Sequence, residues 1–208
     1  MPKGSPERTA ARKEEIINAC EQLYQTMSFK DITLKEIGNV TSFTRTSIYN
    51  YFQTKEEIFL ALMQREYERW SAELNTLADS NETMTAEDFA DALARSLEER
   101  EQLLKLLSMN HYDMEENSRP ERLTDFKAAY GTSLDAVRAC LKKFFPEQDT
   151  EKFIFVFFPF LFGVYPYTKA TQKQLDAMRD ANIEFEMHGI YDIIYSCVMQ
   201  LLGGNDHE

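Results

Sequence analysis

Between residues 44 and 55 the chain reads Thr44, Arg45, Thr46, Ser47, Ile48, Tyr49, Asn50, Tyr51, Phe52, Gln53, Thr54 and Lys55. Hydroxyls, an amide, a guanidinium and an ammonium group crowd into one short stretch. Such groups donate and accept hydrogen bonds. Small polar, cationic and aromatic hydroxyl side chains can meet base edges and phosphates. The chemistry on offer is recognition. Ile48 and Phe52, spaced i, i+4, turn inward on a helix expected to run from Thr44 to about Phe52. That leaves Arg45, Thr46, Ser47, Tyr49, Asn50 and Tyr51 outward.

Other chemistry lacks its residues. Cys20, Cys140 and Cys197 are isolated, odd in number and set in helical patterns, so buried thiols fit better than a redox pair. His111, His188 and His207 are scattered. Glu184 and His188 could share a helix face at i, i+4, but two ligands do not make a metal site. There is no Gly-rich phosphate loop and no nucleophile motif, so neither an enzyme nor a cofactor is expected.

The charge is uneven. Residues 1–55 carry eight Lys/Arg and six Asp/Glu, a balance of +2, while residues 56–208 carry −14. A head that meets phosphates on an otherwise acidic chain needs this split. The 208 residues suffice for a real core. The first fifteen residues lack an apolar signal region, and a cytoplasmic location is expected. Residues 153–167 are the most apolar stretch, yet they fall short of the roughly 20 residues of a membrane span.

The elements that must carry these residues are helices throughout. Ile16, Ile17, Cys20, Leu23, Tyr24 and Met27 make one apolar stripe. Thr33 to Glu36 reads as a capping box opening a short second helix, and Thr41, Ser42 and Phe43 interrupt before the third. Thr54 to Glu57 is a further capping box, opening a long helix with Phe59, Leu62, Met63, Trp70 and Leu74 inward. Residues 75–85 read as a loop, 86–97 and 99–111 as helices, and 113–120 as a loop. A helix follows from Leu123 to Phe144. The stretch 153–167 is expected to kink at Pro159 and stop at Pro166. Residues 168–181 form a polar connection, and a last helix spans 182–202.

Residues 32–55 resemble the signature of the TetR family. That signature runs from a Thr-capped second helix through a short turn to a Leu/Ile-Tyr-x-Tyr/His-Phe segment, with Lys three residues on. Here it reads Ile48, Tyr49, Asn50, Tyr51, Phe52 and Lys55, and the likeness covers about residues 10–62. Two positions depart: Ser42 stands where the family usually has Gly in the turn, and Thr46 where it often has Gly.

The resemblance implies an all-α fold. An N-terminal three-helix helix-turn-helix DNA-binding domain (9–55, motif about 32–51) would join a helical-bundle ligand-binding and dimerisation domain (56–208). It implies a repressor released by a small lipophilic effector. Thr33, Lys35, Thr44, Arg45, Thr46, Ser47, Tyr49, Asn50, Tyr51 and Lys55 would face double-stranded DNA, and Ile37, Phe43, Ile48 and Phe52 the core. A homodimer reading a pseudo-palindromic operator follows, its seam assigned to Phe153, Val156, Ile190, Ile194, Cys197, Val198 and Leu201. Rings around a Pro159 kink suggest a lipophilic cavity touched by His111, Tyr112, Phe126, Tyr130, Phe157, Phe160 and Tyr165. The alternatives are a ligand-insensitive or activating DNA binder and, in another class, a helical enzyme or adaptor without a DNA role.

Overall fold

The computed structural model describes residues 5–109 and 111–203, with His111 described for its backbone alone. Among the described residues the chain is all helix, without a strand. It divides into two compact units. One holds residues up to 66 together with 110–130, and the other holds 67–109 and 131 onward. The long helices α4 (Lys55–Ser80) and α8 (Pro120–Phe144) each supply residues to both.

The first unit begins with α1 (Pro6–Thr26), whose first turn has Pro6 and a Ser5 hydroxyl that accepts from the Arg8 N–H at 3.4 Å. Its buried stripe is Ile16, Ile17, Cys20 and Tyr24. Next come α2 (Leu34–Asn39) and α3 (Arg45–Ile48). Thr33 caps α2 through the N–H groups of Lys35 and Glu36, and Thr44 caps α3 through that of Ser47. Gly38 is what the turn between them requires. A Cβ there would meet the Arg45 backbone nitrogen at 3.3 Å, so the close approach of α2 to α3 depends on that glycine. Ser42, despite standing where the family has Gly, does not carry a positive φ; among described non-Gly residues only Asn182 does. The unit closes with the start of α4, with α7 (His111–Glu116) and with the first half of α8. Phe59 sits at its centre, edge-on to Tyr24 at 5.1 Å and to Phe29 at 4.8 Å.

The second unit packs the rest of α4 and α8 with α5 (Ala86–Glu98), α6 (Glu101–Leu107), α9 (Thr150–Thr168), α10 (Gln172–Asp180) and α11 (Ile190–Gly203). Trp70 is fully enclosed. Its ring lies 5.9 Å from Phe158, and its indole N–H donates to the Ser96 hydroxyl at 3.1 Å.

Several elements depart from the sequence expectation. α3 ends at Ile48 rather than near Phe52, because the N–H groups of Asn50 and Tyr51 tighten to three-residue bonds onto Ser47 and Ile48. α4 runs on to Ser80: Leu74 and Leu77 keep it anchored, while Thr76 and Asn81 bond back to its own carbonyls. α7 replaces part of the loop expected at 113–120, with Met114 buried as its anchor. α9 passes through both prolines, and Pro166 does not stop it. Both prolines lie on its exposed side, where their rings displace no core, while Phe157, Phe158, Leu161 and Val164 hold the other side. The last helix starts at Ile190, not 182, because Asn182 takes φ 54° in the αL turn that ends α10. Glu184 and His188 therefore sit on no common helix face.

No single described helix is long and apolar enough to cross a membrane. Burial raises the thiols of Cys140 and Cys197 to about 11, and that of Cys20 further, which keeps them protonated near neutral pH.

Candidate nucleic-acid interface

The reading surface is framed from beneath. Ile37, Ile48 and Phe52 are buried as expected, which fixes the axis of α3. Phe43 is only half-buried, with the Arg12 guanidinium 5.5 Å above its ring. Outward stand Thr44, Arg45, Thr46, Tyr49 and Asn50, all exposed, with Ser47 and Tyr51 half-exposed. Arg45 lies along Tyr49: its Nη2 donates to the phenol oxygen at 3.0 Å and its guanidinium sits 5.8 Å over the ring. This pairing holds a long cation in one orientation and spares part of its ordering entropy on binding.

Beside α3, a hollow of about 420 Å³ is lined by Thr33, Leu34, Lys35, Arg45, Lys55 and Glu56. Three of the ten expected contact residues, Lys35, Arg45 and Lys55, thus bring positive charge to one concavity. Lys55 has a further task. Its ammonium donates to the carbonyls of Phe29 at 2.6 Å and Ile32 at 3.1 Å, and lies 4.1 Å over the Phe29 ring. It pins the connection between α1 and α2. Lys55→Ala should therefore lower the unfolding free energy by roughly 1.5–3 kcal/mol as well as weaken DNA binding. Urea denaturation of the variant checks this; an unchanged midpoint would show the two carbonyls to be served by solvent.

The sequence reading missed residues that hold this surface. Arg12 donates to the Tyr51 hydroxyl at 3.1 Å, and Glu15 accepts the Ser42 N–H at 2.6 Å across the turn. That bond holds the Glu15 carboxyl below its ordinary pKa. The spacing of Arg8, Arg12 and Glu15 along one side of α1 was the available signal. Arg65 is the other omission. Its side chain is only 10% exposed and reaches Glu14 and Glu21, each at 2.7 Å, and the Asn18 amide oxygen at 2.5 Å, fastening α4 to α1.

The expected pocket and seam residues are placed differently from the reading surface. Tyr112 is 86% exposed and is no pocket handle. Phe126 and Tyr130 belong to the first unit and Phe157, Phe160 and Tyr165 to the second, and the His111 side chain lies outside the described residues. Phe157 is fully buried, with its ring 5.3 Å from that of Phe153 and 6.1 Å from that of Phe158. Burial raises the pKa of Tyr130 and Tyr165, in keeping with half-buried phenols. Of the seam residues, Phe153, Ile190, Ile194 and Val198 are buried inside their own chain. The apolar stripes that suggested a seam are partly the monomer's core. Val156 stays exposed, and Cys197 and Leu201 are half-buried.

Family models match nearly the whole of this architecture. One described as bacterial regulatory proteins, tetR family, covers residues 16–62, and one described as a tetracyclin repressor-like C-terminal domain covers residues 64–189. The chain belongs to the TetR family. Among curated proteins, an HTH-type transcriptional repressor of Mycobacterium tuberculosis is 26% identical over 101 residues; the match spans 47% of this chain and 54% of that repressor. Among solved structures, the fatty acid degradation regulator FadR of Bacillus halodurans superposes with a TM-score of 0.61 at 18% identity, covering 99% of this chain and 100% of that one. FadR of Thermus thermophilus, a TetR-family repressor solved with lauroyl-CoA, gives 0.61 at 20% identity, covering 94% and 96%. At these identities the structural likeness is one of fold.

Proposed function

We propose that this TetR-family chain is a homodimeric repressor that binds a pseudo-palindromic operator through α3 and leaves it when a small lipophilic effector binds the body. The head is residues 9–55 and the body 56–208. The observation that carries the reading is the exposed face of α3 and of the turn after it: Arg45 and Thr46 on the helix and Tyr49 and Asn50 in the turn stand outward, above buried Ile37, Ile48 and Phe52. A major groove of about 12 Å admits one such helix. Thr33, Lys35, Thr44, Ser47, Tyr51 and Lys55 surround it as partners for phosphate and sugar. A regulator of this kind works where the chromosome is, in the bacterial cytoplasm.

For the effector, the second unit offers a groove of about 470 Å³ between α4 and α5. Leu74, Leu77 and Ala92 line it, with Glu73, Asp91, Arg95 and Glu99 beside them. That volume falls within the range of small-molecule sites. Its three carboxylates against one guanidinium favour a neutral or cationic lipophilic compound over an anionic one.

Arg45 and Lys35 separate base reading from phosphate holding. Arg45→Ala should relax base preference and cost about 1–3 kcal/mol on the preferred duplex. Lys35→Ala should weaken all duplexes alike and reduce the salt slope by about 1. Fluorescence anisotropy on a duplex from upstream of the chain's own gene measures both. Equal affinity of both variants and the unaltered protein would show that another face reads the DNA.

A further inference from the structure

The backbone after α3 ends in a turn whose carbonyls no longer have helical partners. At Tyr51 the chain leaves that turn for α4. Two guanidinium groups from the start of α8 stand at its carbonyl oxygen: Arg119 Nη2 and Arg122 Nη2 each donate to it at 3.3 Å. Arg122 also lies 5.4 Å over the Phe52 ring. Behind them is Glu57, a carboxylate with no exposed surface. Arg119 grips it with a fork, Nε to Oε1 at 2.6 Å and Nη2 to Oε2 at 2.9 Å, and adds its backbone N–H at 3.1 Å. The Gln53 N–H completes the set at 2.8 Å. Glu57 was expected to cap its own helix by turning back to Thr54; instead it faces the arginine and the turn. The Thr54 hydroxyl, which accepts the Glu57 N–H, donates to the Asn117 carbonyl at 3.0 Å.

A buried carboxylate is costly unless paired and fully hydrogen-bonded, and four donors satisfy this one. Burial alone would raise its pKa, but the bonds from Arg119 and the Gln53 N–H outweigh it and hold the carboxyl below its ordinary value of 4.5. The group therefore adds stability that is complete above pH 4.5 and is lost as pH falls through the lower native value. The arrangement spends two cations and a buried anion on the five-residue stretch from Tyr51 to Lys55.

We propose that Arg119 and Arg122, with Glu57, are positioning residues for DNA recognition: they fix the turn that follows α3, and so the orientation of Tyr49, Asn50 and Tyr51, without touching DNA themselves. This rests on the DNA-binding reading above. Freeing one backbone residue costs about 1–2 kcal/mol of ordering on binding. One residue's worth, about 1.4 kcal/mol, is tenfold in affinity.

The test uses the full chain with Arg119→Gln, Arg119→Lys and Arg122→Lys, titrated by anisotropy against the upstream duplex and a scrambled duplex over a range of salt. Thermal melting is recorded alongside. Each variant should lose about tenfold on the upstream duplex, with binding to the scrambled duplex and the salt slope unchanged. Arg119→Lys should keep most of the melting temperature, because an ammonium still pairs with Glu57 but cannot span to the Tyr51 carbonyl. In Arg119→Gln, which removes the charge, a salt slope reduced by about 1 would mean a direct phosphate contact and would overturn the positioning role. If Arg119→Gln does not fold, Arg122→Lys decides alone, since its bond to the turn is a single one. Unaltered protein that prefers the upstream duplex, with variants equally selective, overturns this inference and leaves the DNA reading standing. Unaltered protein with no preference overturns the DNA reading itself.

Discussion

A protein carrying Phe155→Asp and Val156→Asp is expected to sediment as a folded monomer and to lose most of its operator affinity. α9 is apolar nearly all round, yet half of it is not covered by the chain. Phe155 is 80% exposed and Tyr167 65%, and Val156, Pro159, Phe162, Gly163 and Pro166 lie exposed between them at helical spacing. A surface helix ordinarily turns a polar face to water. In the homodimer proposed above, a second copy would cover this face. Both substituted side chains are exposed, so the monomer's own fold should change by less than about 0.5 kcal/mol. Burying two carboxylates in the centre of an interface is another matter. Two-fold symmetry makes them four per dimer, so at about 2 kcal/mol or more per central residue the dimer dissociation constant should rise by about 10⁵-fold or more. With two half-sites no longer bridged, operator affinity should fall by about 10²–10⁴. Sedimentation velocity at micromolar concentration reads the first effect. A double variant that still sediments as a dimer would move the seam off this face. A charge at Ile194 or Val198 would not serve, because both are core and would unfold the monomer first.

The second large effect is expected at Arg65. It bonds Glu14, Asn18 and Glu21 on α1, and its Nε lies 4.0 Å from the Glu66 carboxylate. Arg65→Ala leaves two carboxylates facing each other across a gap. Removing one partner from a buried pair costs about 3–5 kcal/mol. Here Glu14 is half-exposed and can take up water, so about 2–3 kcal/mol is expected. The loss falls on the seat of α1 against α4, beneath the reading surface. Arg65→Lys should recover only part of it, because an ammonium cannot reach Glu14, Asn18 and Glu21 together. Chemical denaturation of the two variants gives the comparison. Equal stability of Arg65→Ala and the unaltered protein would show that the network contributes nothing net.

How legible was this in the residues? The head was legible because its signals are local. Thr33 and Thr44 cap helices within three residues of themselves, and the i, i+4 spacing of Ile48 and Phe52 states which side of α3 is inward. The glycine of the turn was sought at 42, and the packing places the need at Gly38, since what matters is a close approach between helices rather than a left-handed residue. The residues behind the surface were not legible. Glu57 reads as a capping glutamate from its neighbours alone, and only the fold brings Arg119, 62 positions away, to its side. The expected seam meets a related limit. A helix apolar on every side announces that it is covered, but periodicity does not say which face belongs to its own core; α9 keeps Phe153 and Phe157 inside and leaves Phe155 out. The expected pocket rested on the least specific signal. Rings at 153, 157, 158 and 160 fill space against one another, and aromatic richness alone cannot separate a packed cluster from a lined cavity.

The central claim is that this chain reads DNA sequence through α3. Its most direct measurement is the anisotropy titration of the full-length protein against the duplex upstream of its own gene and a scrambled duplex of equal length, from about 50 to 200 mM salt. Affinity at least about 10³-fold tighter for the upstream duplex is expected, with a log–log salt slope that is negative on both duplexes. Equal affinity for the two duplexes, or binding indifferent to salt, would contradict it.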